Sequence, residues 1–181
     1  PPPAVDIGVD PGPAQQARER ALTELASEIL STADKAKPLA PAATDKTAPP
    51  SGEQSTSVET AIGQAIDFQM RGQVQEAIEA YVRALDTGAD RPAIHFNLGL
   101  LFKEKMRFDE AIHHLKQSQM AAQYALGSHY ALAECFRAQG NIDQALAHLI
   151  EVLKIVDLQT VNREQADNLI RLYEHLAESY L

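Results

Sequence analysis

The chain has 181 residues, 45% of them hydrophobic but only 6% aromatic and none of them Trp, so any core must be built from Leu, Ile and Ala. The net charge of −9 excludes nonspecific binding to nucleic acid or to anionic membranes, because both need a basic surface. No apolar run nears the roughly 20 residues that span a bilayer, so no membrane insertion is expected.

Nine of the ten prolines fall in residues 1–50. The chain begins at Pro1 with no signal-like apolar segment, and it is expected to be a processed or excised piece of a longer, cytoplasmic, bacterial protein. Residues 14–31 contain neither Gly nor Pro. They place Leu22, Leu25, Ala26, Ile29 and Leu30 on one helical face, with Pro11 and Pro13 suited to a helix start. Two readings are open. A helix of about eighteen residues is marginal alone, which fits a transient helix in a tail. The same apolar face fits a docking helix, with Leu22, Leu25, Ile29 and Leu30 as contacts, that folds on a partner or on this chain's own array. The stretch from Ala33 to Ser57 is rich in Pro, Ala, Thr, Ser and Lys and has one large aliphatic, Leu39. It cannot bury enough surface to offset the entropy of ordering and predicts a disordered linker. Residues 1–57 thus read as a Pro/Ala-rich disordered tail with one embedded helix.

From Val58 onward the apolar residues keep a helical period to the end. Helices are predicted at 58–71, 74–87, 92–105, 108–121, 126–139, 142–156 and 162–181. The turns carry Gly72, the stop at Asp86–Thr87–Gly88, Pro92 in a first turn, and Gly140–Asn141. Three stretches superimpose at a spacing of 34 residues. Gly72, Met106 and Gly140 are equivalent, as are Ala77, Ala111 and Ala145. So are Ala65, Gly99 and Ala133, and then Phe68, Phe102 and Phe136. A fixed period with small residues at two positions and an aromatic at a third reads as stacked helical hairpins.

The residues Asn97-Leu98-Gly99 with Phe102, then Phe108-Asp109-Glu110-Ala111-Ile112, resemble the tetratricopeptide repeat (TPR) family. Tyr130-Ala131-Leu132-Ala133 with Phe136, then Gly140 to Leu146, repeats the pattern. So do Ala65 and Phe68, then Gly72 to Ile78 with Tyr81, Ala84 and Leu85. The resemblance implies an all-α, right-handed superhelical solenoid of antiparallel hairpins, with repeats at about 58–91, 92–125 and 126–159. An extended helix at 162–181 is similar to the first helix of a fourth repeat, and the array is expected to continue past Leu181. The stripe Leu169, Ile170, Tyr173, Leu176 and Tyr180 on that helix suggests an assembly surface.

In this family the first helices of successive hairpins line a concave groove. The resemblance places Ile62, Ile66, Gln69 and Met70 there from repeat one. Repeat two adds Phe96, Asn97, Leu100 and Lys103, and repeat three adds Tyr130, Glu134 and Arg137. An amphipathic helix laying its apolar face in the groove would suit that lining. The family's carboxylate-clamp members need several polar groups in the groove, where this chain has Ile62, Ile66, Gly127 and Ala131; a C-terminal carboxylate ligand is not expected.

Catalytic motifs are missing: there is no phosphate loop, no Gly-x-Ser-x-Gly and no His-Glu-x-x-His. His113 and His114 point about 100° apart on a helix and share a site poorly. His114 and His148 are expected on a solvated outer face, and His95 and His129 as partly buried hairpin residues. The single Cys135 is expected to be a packing residue. No metal, cofactor or nucleic acid is implied. The expected function is a non-enzymatic adaptor or scaffold binding a protein or peptide. A structural homo-oligomerisation module, assembling through 162–181 and 14–31, and a regulatory segment of a larger enzyme are the alternatives.

Overall fold

The computed structural model describes residues 12–35 and 51–160. Among them the chain forms seven helices and no strand: α1 Pro13–Lys35, α2 Ser51–Met70, α3 Val74–Asp86, α4 Pro92–Glu104, α5 Phe108–Ser118, α6 Ala122–Ala138 and α7 Ile142–Thr160. The pairs α2–α3, α4–α5 and α6–α7 are the three hairpins, and each stacks on the next through α3–α4, α5–α6 and α4–α6. This is an all-α repeat of stacked antiparallel hairpins.

One turn, used repeatedly, builds the hairpins. At the end of α2, Gln73 N–H donates to Phe68 C=O at 2.9 Å and Gly72 N–H to Gln69 C=O at 3.1 Å. This is the Schellman pattern, in which one left-handed residue closes the helix and satisfies its last carbonyls. The end of α4 repeats it, with Arg107 N–H on Phe102 C=O and Met106 N–H on Lys103 C=O. So does the end of α6, with Asn141 N–H on Phe136 C=O and Gly140 N–H on Arg137 C=O. The left-handed residues are Gly72 (φ +71°), Met106 (φ +58°) and Gly140 (φ +78°). The recurring Phe four residues before each turn is thus the residue whose carbonyl the turn captures.

Close packing within a hairpin depends on small residues. A Cβ on Gly99 would stand 2.6 Å from Leu115 Cγ and 3.3 Å from Leu115 N, so only glycine lets α4 lie this close to α5. Ala65, Ala77, Ala111, Ala133 and Ala145 are buried at the matching positions.

Histidines also fill the hairpin interfaces. His95 Nδ1 lies 2.9 Å from His114 Nδ1, and one repeat later His129 Nδ1 lies 2.9 Å from His148 Nδ1. Phe102 stacks on His114 and Phe136 on His148, at 5.5 and 5.4 Å with nearly parallel rings. Asp90 holds the far nitrogen of His95 at 2.8 Å. His114 and His148 therefore do not lie on a solvated outer face. Each turns inward to meet the histidine of its partner helix, because one imidazole N–H satisfies the other's lone pair. The first hairpin has Ala61 and Ala80 at these positions, both buried. Burial pushes His114 down to about 4, helped by His95 and His113, and pushes His148 down to about 4, helped by His129 and Lys116. Burial also lowers His129.

Helix ends differ from expectation in places. α2 starts at Ser51, so its first turns lie inside the stretch whose composition predicts a disordered linker. Pro49 and Pro50 block helix before that point, and Ser51-x-x-Gln54 has the spacing of a capping box. α1 runs on to Lys35, stopping ahead of Pro38. α6 begins at Ala122 rather than 126, and α7 continues to Thr160. Residues 36–50 and the predicted helix at 162–181, with Leu169, Ile170, Tyr173, Leu176 and Tyr180, lie outside the described residues.

Met106 carries a side chain in a conformation that disfavours one, at about 1–2 kcal/mol, and that side chain is 77% exposed. Met106→Gly should therefore stabilise the fold by about 0.5–1 kcal/mol, the gain being trimmed by the freer unfolded chain; urea unfolding reads it. The histidines give a pH dependence. They protonate near their ordinary value of about 6.5 in the unfolded chain but only near 4 at His114 and His148 in the fold. Stability is then full above about pH 6.5 and falls as pH drops toward 4. The urea midpoint should decline between pH 7 and 5, and His114→Gln with His148→Gln should flatten that decline.

Candidate partner-binding groove

The first helices of the hairpins, α2, α4 and α6, present one shared face. α1 lies across it and contacts all three. Its seat is a single row of residues four apart. Ala17, Ala21 and Leu25 are buried, the last two completely, and Ile29 packs against the same core. Side chains at i and i+4 form a straight ridge along a helix, which is what a groove between helices accepts. The row begins at α6, where Ala17 meets Gly127, and ends at α2, where Ile29 Cδ1 lies 3.9 Å from where a Cβ on Gly63 would be. α1 therefore runs from the third repeat back to the first.

Gly127 is the tightest point of this seat. A Cβ there would come within 2.6 Å of Ala17 Cβ, and within 3.1 Å of both Phe96 Cζ and the Pro13 carbonyl oxygen. Two helix backbones can approach this closely only with a glycine on one and a small residue on the other. Beneath the contact, Phe96 stacks on Tyr124 at 5.4 Å, and both rings are fully buried.

A polar flank runs beside the apolar row, also at four-residue spacing. Arg20 Nη1 donates to the Gln123 carbonyl at 3.1 Å. The Tyr124 hydroxyl donates to Glu24 Oε2, and Arg91 Nη1 to Glu28 Oε2, both at 2.5 Å. Burial, and then the Glu24 carboxylate, raise the Tyr124 hydroxyl well above its ordinary value. It stays protonated, so its hydroxyl keeps the proton that it donates to the carboxylate.

A buried chain of hydrogen bonds sets the register of the groove floor. Tyr81 OH donates to Gln69 Oε1 at 2.9 Å, Gln69 Nε2 to Asn97 Oδ1 at 3.2 Å, and Asn97 Nδ2 to the Ala93 carbonyl at 3.1 Å. Burial raises Tyr81 strongly, so it too remains a donor. Asn97, the one residue that matches a carboxylate clamp, is fully buried, with its amide committed to this chain.

The other expected groove residues divide. Ile62 and Phe96 are completely buried, Leu100 nearly so, and Ile66 and Tyr130 partly. Lys103 Nζ pairs with Glu134 Oε2 at 2.5 Å, so these two charges tie α4 to α6. Met70 ends α2 beside the left-handed turn and is 77% exposed. Arg137 is likewise exposed in the last turn of α6. On α1, Leu25 is buried and Leu22 partly so, but Leu30 is 71% exposed. Leu30 lies about 100° round the helix from Ile29, off the row that seats α1. Tyr124, Arg91 and Gln123 were not anticipated, and Gly127 was expected in the groove only as a departure from the clamp, not as a point of close helix approach. The signal available for Gly127 was a lone glycine inside a helical pattern, which marks a close backbone approach.

Family comparison agrees with the helical-repeat fold. Residues 70–105 match a TPR repeat model and residues 128–155 a tetratricopeptide repeat model. No curated protein and no solved structure shows a significant match to the chain. No helix among the described residues is long and apolar enough to cross a membrane.

Proposed function

Since the chain belongs to the tetratricopeptide repeat family, we propose that it is a non-enzymatic interaction module, an adaptor or scaffold whose α2–α4–α6 face takes up an amphipathic helix from a protein partner. The observation that carries this reading is α1 itself. It is a helix with one apolar row and one polar flank, lying on the surface that would receive a ligand. Apolar burial supplies the affinity and the flanking charges supply the orientation.

A second reading is self-assembly, favoured by α7. Ile142, Leu146, Leu149, Leu153 and Val156 recur at alternating spacings of four and three residues and all remain exposed. That is the spacing of a helix-pairing seam.

A photoreactive benzoylphenylalanine tests the first reading. Placed at Tyr130 in the groove, it should crosslink partner protein in a lysate of the source cells, while the same group at Val82 on α3 should not; adducts from Val82 alone would overturn the groove assignment. For the second reading, sedimentation velocity over a hundredfold range of concentration should show a dimer that Leu149→Glu abolishes.

A further inference from the structure

We infer that the partner of this groove is a helix with α1's own chemistry, and that it binds by exchanging with α1. The required pattern is a small residue, a second small residue four positions on and a leucine four beyond that, with carboxylates matching Glu24 and Glu28. This rests on the groove reading above and adds to it the identity of the ligand class and the competitor already in place.

The small-residue requirement comes from the Gly127 notch. The atoms around it are Ala17 Cβ, Phe96 Cζ and the Pro13 carbonyl oxygen. None is the loose end of a flexible side chain. A residue larger than alanine at the Ala17 position must turn its side chain into the adjoining cavity of about 160 Å³ beside Gln16 and Gln123 or lift the helix off its seat, and Ala21 is enclosed as completely as Leu25. The carboxylate requirement comes from two fixed donors. Tyr124 is held in its protonated form and needs an acceptor, and Arg91 needs an anion. A basic residue at either place would set like charge against Arg91 or leave the Tyr124 hydroxyl without its acceptor.

The same code makes α1 a weak ligand. Of its buried row, two members are alanines. A buried methyl contributes well under what a buried leucine does, so a row half made of alanines gains less from burial than a row of leucines would. Its covalent connection to α2 makes closure intramolecular. A free helix of the same chemistry displaces α1 when its own contacts, or its concentration, are great enough to offset that intramolecular advantage. The structure is then a closed form whose opening is set by partner concentration.

A fluorescein-labelled peptide of residues 12–35 tests this against the full chain. Ala17→Leu in the chain overfills the notch and unseats α1 in cis. The wild-type peptide should bind that variant at least tenfold more tightly than it binds the wild-type chain, while a peptide carrying Ala17→Leu should bind neither. Equal affinity for both chains would overturn the exchange, and tight binding of the Ala17→Leu peptide would overturn the small-residue code. Binding to neither chain would overturn the groove reading itself. Should the Ala17→Leu chain lose its helical circular dichroism, Glu28→Arg replaces it as the milder opening variant. A Glu28→Arg peptide should then be weak on wild-type array surfaces and recover on a chain carrying Arg91→Glu; failure to recover would overturn the charge code.

Discussion

The left-handed residue that ends each first helix is the constraint on which the rest of the fold depends. It turns the chain back within three residues and leaves the helix carbonyls satisfied. Because it recurs at 72, 106 and 140, each second helix returns along the same side of its predecessor. The first helices are left together on the other side. A groove lined by α2, α4 and α6 is therefore a consequence of backbone conformation at three positions, before any side chain in the groove is considered. The second repeat meets the constraint with methionine, which shows that the hairpin's packing outweighs the local strain. The Gly99–Leu115 contact and the buried core around it supply that packing.

Apolar packing alone would let such hairpins slide, since rows of Ala, Leu and Ile offer several near-equivalent registers. The polar groups in this interior remove that freedom. The Tyr81–Gln69–Asn97 chain links the first hairpin to the second, and each histidine pair locks one hairpin internally. A buried donor without its acceptor costs about 1–3 kcal/mol, so a slipped register loses more than the modest net gain of each bond suggests. The serine pair Ser118–Ser128, 2.8 Å apart and fully buried, does the same between α5 and α6. Specificity in this array is thus carried by few polar contacts, set into a core that is otherwise permissive.

How much of this was readable in advance follows from the distance over which each feature acts. The hairpins, their turns and their all-α character come from local rules: a period of 34, a helical apolar pattern, and glycine where a left-handed residue is needed. Those signals sit within a few residues of their effects. The groove lining was half legible. Ile62, Phe96 and Leu100 are apolar at the right phase and face inward. Met70 and Arg137 fall in the last turn of their helices and are exposed. The inward turn of His114 and His148 was hidden because polar side chains at an outer phase suggest solvent, and only a partner histidine across the hairpin changes that. The start of α2 at Ser51 was hidden for another reason. The composition of 33–57 averages a proline-rich part with a short helix-compatible end, and an average conceals a boundary. α1's face was seen, but the row that seats it is Ala17, Ala21, Leu25 and Ile29, not the larger set including Leu30. Alanines look neutral in a sequence, and their value appears only against the glycine they approach.

That last point bears on why a groove of this kind would hold a segment of its own chain. An open apolar face invites nonspecific association, and this one contains the stacked buried rings of Phe96 and Tyr124. A covering helix with bulky side chains would bury more area and close the face too firmly to be replaced. A covering helix built on alanines shields the rings, keeps the hydrogen-bond donors of Tyr124 and Arg91 satisfied, and contributes little affinity of its own. The glycine at 127 and the alanine at 17 are matched for contact rather than for strength. Leu25 and Ile29 place the larger apolar area at the end of α1 that meets α2, and the tightest contact, at Gly127, lies at the opposite end on α6. Under the exchange proposed above, the fit of a small residue against Gly127 is what would distinguish one helix from another.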